Sequence, residues 1–175
     1  MNHRPPDNCE GCDFAQGKNI VGGNVLLPGS WSVNHYGGSE GFLGWLALQP
    51  YRHVLTFTDL KAHELEKLGP NIAAIEKVLK EYWESTFGDP IERLYTIYFM
   101  EGGSKHMHIH LIPRFKSLET RLRDWNMPRA TMSATFPEKY RRDAANFQSQ
   151  VCCIMKYLKS NLSGGDQQKQ QKGPE

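Results

Sequence analysis

A chain of 175 residues with 39% hydrophobic and 23% charged residues has the make-up of a single globular domain with a sizeable core. Its 21 Lys and Arg against 19 Asp and Glu leave a net charge of +2, which argues neither for nor against a nucleic-acid partner. It contains no apolar run of about 18 residues, so no transmembrane helix is expected, and Met1-Asn2-His3-Arg4-Pro5-Pro6 lacks an apolar signal core, which makes the cytoplasm the expected location.

Residues 1–8 are polar and Pro-rich and are expected to be loose. Cys9 to Gly17 reads as a knuckle or turn, and Asn24 to Pro28 as a short strand. Trp31 to Tyr36 alternates and predicts a strand; Phe42 to Leu48 is an apolar run that predicts a central strand. The Gly-rich turn between them, residues 37–41, makes the pair an antiparallel hairpin. Thr58-Asp59 is a candidate helix cap. Beyond it, Leu65, Leu68, Ile72, Ile75, Leu79 and Tyr82 recur at helical spacing as one buried stripe. Gly69-Pro70 inside that helix predicts a kink or a break into two pieces. Arg93 to Met100 predicts a strand, and Glu101-Gly102-Gly103-Ser104 a turn into the next one.

That next stretch is Lys105 to Arg114, in which His106, His108 and His110 alternate with Met107, Ile109 and Leu111. Alternation with period two predicts a strand with the histidines on one face and the apolar residues on the other. Pro113 cannot donate to a ladder, so the strand should end near it. At about 3.3 Å per residue the outer two histidines lie on the order of 13 Å apart, too far to share one zinc ion whose bonds to nitrogen are about 2.1 Å. A row of imidazoles along an extended substrate fits better. It offers a nucleophile flanked by donors, as phosphoryl or nucleotidyl transfer requires. Lys116 to Arg129 shows no clear pattern. Glu138 to Leu162 predicts a helix with Tyr140, Ala144, Phe147, Val151, Ile154, Met155 and Leu158 on one side, and residues 163–175 a disordered tail. Cys152 and Cys153 in that helix read as small core residues, and His3, His35 and His63 as solvated or incidental. The class expected is α+β: an antiparallel sheet, a long helix packed on it, and a C-terminal helix.

His106-Met107-His108-Ile109-His110-Leu111-Ile112, followed by Pro113-Arg114, resembles the signature of the histidine-triad family. The resemblance runs from about Asn8 to Arg114. It implies a triad domain over residues 9–115; the helical extension over 116–162, expected to pack on that domain, lies outside the shared core. It also implies a homodimer whose two sheets join through the helix and adjacent strand. By the resemblance His106, His108 and His110 carry the chemistry. His108, the middle one, attacks the α-phosphorus of a nucleotide ester, anhydride or phosphoramidate, with an adenosine-type substrate expected. A nucleotidyl-histidine forms and water releases the monophosphate. A neutral imidazole suits this, with a free pKa of about 6.5, provided a hydrogen bond fixes its other nitrogen. His110 on the same face can donate to phosphate oxygens.

Pro50-Tyr51-Arg52-His53 resembles the family's proline-x-x-histidine element, and several members bind structural zinc there. The implied ligands are Cys9, Cys12, His53 and His106. Two thiolates and two imidazoles are a normal closed zinc shell. A redox Cys-x-x-Cys, or two surface thiols beside a hydrogen-bonded histidine pair, are the alternatives. Asn34 matches a position placed near ribose or phosphate in related hydrolases, or is an ordinary turn asparagine. Gly103 and Ser104, with Gly102, either cradle phosphate through backbone N–H groups or form a plain hairpin turn. Many members carry glutamine where this chain has Gly102, which puts the leaving group in question. Two further readings stand beside the enzyme. One is a nucleotide-binding dimer without turnover. The other is processing of adenylated nucleic-acid ends, for which Arg121, Arg123, Arg129, Arg141 and Arg142 are a modest cluster interleaved with acids.

Overall fold

The computed structural model describes residues 9–37, 42–98, 106–124, 126 and 144–162. Five strands form one sheet: β1 (Asn24–Leu27), β2 (Trp31–His35), β3 (Leu46–Pro50), β4 (Ile91–Tyr98) and β5 (Ile109–Phe115). Their order is β1-β2-β3-β5-β4, and every neighbouring pair is antiparallel. Among the described residues three α-helices accompany them: α1 (Glu10–Ala15), α2 (Ala62–Phe87) and α3 (Ala144–Leu162). The architecture is α+β, with both expected hairpins present as β2–β3 and β4–β5.

Strand alternation sorts side chains onto two faces. On one face Val25, Val33, Leu46, Leu48, Ile109 and Leu111 form an apolar layer. α2 covers it with Ile75, Val78, Leu79, Tyr82 and Trp83, and the Trp83 ring stacks on Phe115 at 4.8 Å. α3 packs against α2 and β1. Its Phe147, Val151, Ile154, Met155 and Leu158 are all buried, each contributing about 1.5–3 kcal/mol. Across the sheet, Asn24, Ser32, Asn34, Gln49 and His110 share the opposite face, and the last four are buried as well.

Several expectations change. α2 is one continuous helix through Pro70. Gly69 and Pro70 lie on its exposed side, where water can satisfy the carbonyl that Pro70 leaves without a donor. Leu65 is exposed at 47%, while Glu64, Asn71 and Trp83 are buried: the stripe is rotated at the start of the helix by polar contacts to Glu64 and Asn71. Thr58-Asp59 lies in a 3₁₀ turn over Phe57–Asp59, and α2 starts only at Ala62. The apolar run 42–48 is half turn, half strand, because Gly44 at φ +86° bends the chain before β3. β5 begins at Ile109, so His106 and His108 precede the strand. It continues through Pro113, which lies past the last rung shared with β3. Lys116 to Arg129 holds a 3₁₀ turn over Thr120–Leu122. Cys152 and Cys153 are exposed on the outer side of α3, because the next buried positions are Val151 and Ile154. The expected tail over 163–175, and the start of the last helix at 138–143, lie outside the described residues.

His35 is not solvated but buried in the apolar layer. Its Nε2 accepts from the Gly44 N–H at 3.0 Å, and its ring meets Phe147 edge-on at 5.5 Å. Burial lowers its pKa to about 4. The unfolded chain, with histidine near 6.5, therefore binds the extra proton first as pH falls. Stability contributed by neutral His35 is complete above about pH 6.5 and is lost toward pH 4. Denaturant titrations of wild type and His35→Gln at pH 7 and pH 5 check this. The stability gap between them should narrow on acidification by up to about 1.4 kcal/mol per pH unit.

Candidate active site and metal cluster

Cys9, Cys12, His53 and His106 come together although they are spread over nearly a hundred positions. One ligand atom from each lies within 4.8 Å of all the others. The expected knuckle is a helical turn: Cys9 caps α1 and Cys12 sits one turn on, so both sulfurs face the same way. Gly11 between them is required by contact. A Cβ there would stand 2.3 Å from the His106 Cβ. His53 is held by its neighbour Arg52, whose guanidinium makes a bidentate pair with buried Glu64 at 2.8 Å and 2.8 Å and also donates to the Asp59 carbonyl. Burial opposes charge on Glu64, but Arg52 and the Lys61 N–H outweigh it and hold the carboxyl below its ordinary range.

The four sulfur–nitrogen distances in the cluster are 3.5, 4.0, 3.5 and 3.4 Å, all to imidazole Nδ1 atoms. Tetrahedral bonds of about 2.3 Å to sulfur and about 2.1 Å to nitrogen would set these at about 3.6 Å. His106 Nε2–H donates to the Pro50 carbonyl at 3.0 Å. Burial, with His53 and His108 nearby, lowers the His106 pKa to about 4, so the ring is neutral and its Nδ1 presents a lone pair. Burial and the neighbouring Cys9 push the Cys12 thiol up to about 12. A cation at the centre would meet both sulfurs and both Nδ1 atoms at once. The set can hold a metal ion, and its donors are those zinc takes.

His106 is fully buried, so the triad is not an open row of three. His108 and His110 stand apart from it as a pair, rings 4.7 Å apart and nearly perpendicular. His108 is half-buried, and its Nδ1–H donates to the His106 carbonyl at 3.0 Å. His110 is buried, and its Nδ1 lies 3.0 Å from the Trp45 indole N–H. Met107, Ile109 and Leu111 turn to the core as expected. Tyr36 faces both imidazoles, with its ring 6.3 Å from His108 and 4.7 Å from His110.

Beside Tyr36 a cleft of about 340 Å³ opens, lined by Phe14, Asn19, Ile20, Val21, Asn34 and Tyr36. That is the size and mixed lining of a small-molecule site. Asn34 belongs to strand β2 rather than a turn. Its Oδ1 accepts from Gln49 Nε2 at 3.0 Å and its Nδ2 donates to the His35 carbonyl. Gly103 and Ser104 lie outside the described residues, as do Arg129, Arg141 and Arg142. Arg123 is engaged with the Leu118 and Lys116 carbonyls. Sequence reasoning missed Phe14, Tyr36 and Trp45. Tyr36 was recoverable, since it is two residues from Asn34 and so shares its face.

The Gly11 contact yields a direct test. Gly11→Ala should drive α1 off His106 and lose bound metal, as should Cys12→Ser. Wild-type protein should carry one zinc per chain by elemental analysis, and both variants less than about a tenth of that.

Among the described residues no helix is long and apolar enough to cross a membrane. No protein-family model matches the chain, and neither does any curated protein. Among solved structures it is similar to a zinc-bound histidine triad family protein from Mycobacterium smegmatis, at 15% identity and a TM-score of 0.48, over 87% of this chain and 96% of that one. A likeness of that strength does not bear on function, which rests on the site's own geometry.

Proposed function

We propose that the protein is a nucleotide hydrolase or transferase that cleaves at the α-phosphate through a covalent adduct on His108. The observation that carries this reading is the 3.0 Å hydrogen bond from His108 Nδ1–H to the His106 carbonyl. A neutral imidazole has one proton, so its Nε2 is left as a bare lone pair. Nε2 forms a bond to phosphorus while the bond from phosphorus to the leaving group breaks. The leaving group takes its proton from water, while His110 Nε2–H donates a hydrogen bond to it and keeps its own proton. The adduct is an imidazolium, and its Nδ1–H bond to the His106 carbonyl strengthens as positive charge develops. Water then attacks phosphorus, the nitrogen–phosphorus bond breaks, and a nucleoside monophosphate leaves with His108 restored.

The cleft supports an adenosine-type nucleoside. Phe14, Ile20 and Val21 suit the flat faces of a base, and Tyr36 links that lining to both imidazoles. Zinc on Cys9, Cys12, His53 and His106 would supply structure, tying α1 and its Phe14 to the end of the sheet. Gly103 and Ser104 are assigned to the phosphates, and Asn34 to the ribose side. A homodimer belongs to the same reading, with β4 at the border of the sheet presenting half-buried Leu94, Tyr95 and Ile97 beside exposed Tyr98.

Incubation with a diadenosine polyphosphate and with an adenosine phosphoramidate, read as AMP released, tests the proposal. His108→Ala should reduce turnover by about 10³-fold or more while retaining nucleotide binding. Binding without AMP release by wild type would instead favour a nucleotide-binding module, and turnover surviving in His108→Ala would remove the nucleophile from His108.

A further inference from the structure

Trp45 precedes β3 and is held there from several sides. Its carbonyl accepts the Tyr36 N–H at 2.7 Å, its N–H donates to the Phe42 carbonyl at 3.1 Å, and its ring meets Tyr36 at 4.5 Å. Gly44 before it has φ +86°, and a Cβ there would reach within 2.8 Å of the Trp83 ring. The side chain is buried, and its Nε1 stands 3.0 Å from His110 Nδ1. An indole N–H can only donate. His110 Nδ1 must therefore present a lone pair, and the one proton of the neutral ring resides on Nε2. The neighbouring His108 has the opposite arrangement, with its proton on Nδ1. Burial, and next to it His108, lower the His110 pKa to about 4, so the ring is neutral near pH 7 and its tautomer is the quantity to be set.

We propose that Trp45 is a positioning residue that holds His110 in the Nε2–H tautomer, making it the hydrogen-bond donor beside a His108 held as acceptor. Turning the His110 proton to Nδ1 would set two N–H groups against each other at 3.0 Å, in a site with little water to separate them. The opposed tautomers let two identical side chains 4.7 Å apart do different work. One attacks phosphorus; the other donates to the oxygen or nitrogen that departs, or to a phosphate oxygen. The consequence for turnover rests on the function proposed above. The tautomer itself does not.

The test replaces Trp45 with β-(3-benzothienyl)alanine, which has sulfur in place of the indole N–H and nearly the same shape. Trp45→Phe serves as a second variant. Nitrogen NMR of the substrate-free protein with ring-labelled histidine should place the His110 proton on Nε2 in wild type. In the benzothienyl variant the Nδ1 resonance should move and the Nε2–H population fall. In the AMP-release assay kcat should drop by about 10-fold or more with KM nearly unchanged. Zinc content should be unaltered. A wild-type proton on Nδ1, a variant spectrum identical to wild type, or a shifted spectrum with wild-type kcat would each overturn the proposal. Should wild type release no AMP from any nucleotide, the reaction assigned to His108 fails. The spectra then still decide whether Trp45 sets His110.

Discussion

Three groups of one residue are committed at once. His106 Nε2–H donates to the Pro50 carbonyl, its Nδ1 faces two cysteine sulfurs, and its backbone carbonyl accepts the His108 Nδ1–H. Because the residue is fully buried, each of these contacts replaces one that water made in the unfolded chain. Leaving any of them unmade would cost about 1–3 kcal/mol. The cysteine–histidine donor cluster and the His108 imidazole are thus joined through a single peptide unit. Whatever holds the His106 ring also holds the carbonyl that orients His108.

The sheet makes this possible by being buried on both sides at its centre. β2 and β3 are covered along their whole length. One side is an apolar layer under α2 and α3, which supplies most of the stabilisation. The other is a polar layer in which Asn24, Ser32, Asn34 and Gln49 bond to one another or to the backbone. Such a layer is tolerated because its members find partners. It is also where a polar ligand can be received without first disrupting a hydrophobic core. α1 closes one end of it, and only glycine at position 11 lets α1 come close enough.

Within the site, His108 and His110 are alike in sequence setting and differ in which Nδ1 partner each ring meets, an acceptor for one and a donor for the other. The difference comes from partners that lie far away along the chain or that are backbone. The His106 carbonyl accepts from one ring and the Trp45 indole donates to the other. A hydrogen-bond donor and a hydrogen-bond acceptor, each on a rigid support, are enough to separate the roles of two imidazoles.

Much of this was legible in residue order. Period-two alternation placed β2 and the core-facing side of Ile109 and Leu111 correctly, since side-chain direction on a strand is a local property. The spacing of Phe147, Val151, Ile154, Met155 and Leu158 likewise specified the buried side of α3. The local signals failed where a distant contact outweighed them. Pro70 does not break α2, Leu65 yields its buried place to Glu64 and Asn71, and His35 is drawn into the core by Gly44 and Phe147. What the amino-acid order by itself determined was the inventory: an antiparallel α+β fold, three alternating histidines, and cysteines at helical spacing near the start. The grouping of His106 with Cys9, Cys12 and His53 was already implied by the family resemblance. Which nitrogen of each imidazole carries its proton, and that His108 and His110 stand apart from His106 as a pair facing Tyr36, was decided by tertiary structure alone. Those choices depend on hydrogen-bond partners up to 97 residues away, and no periodicity encodes them.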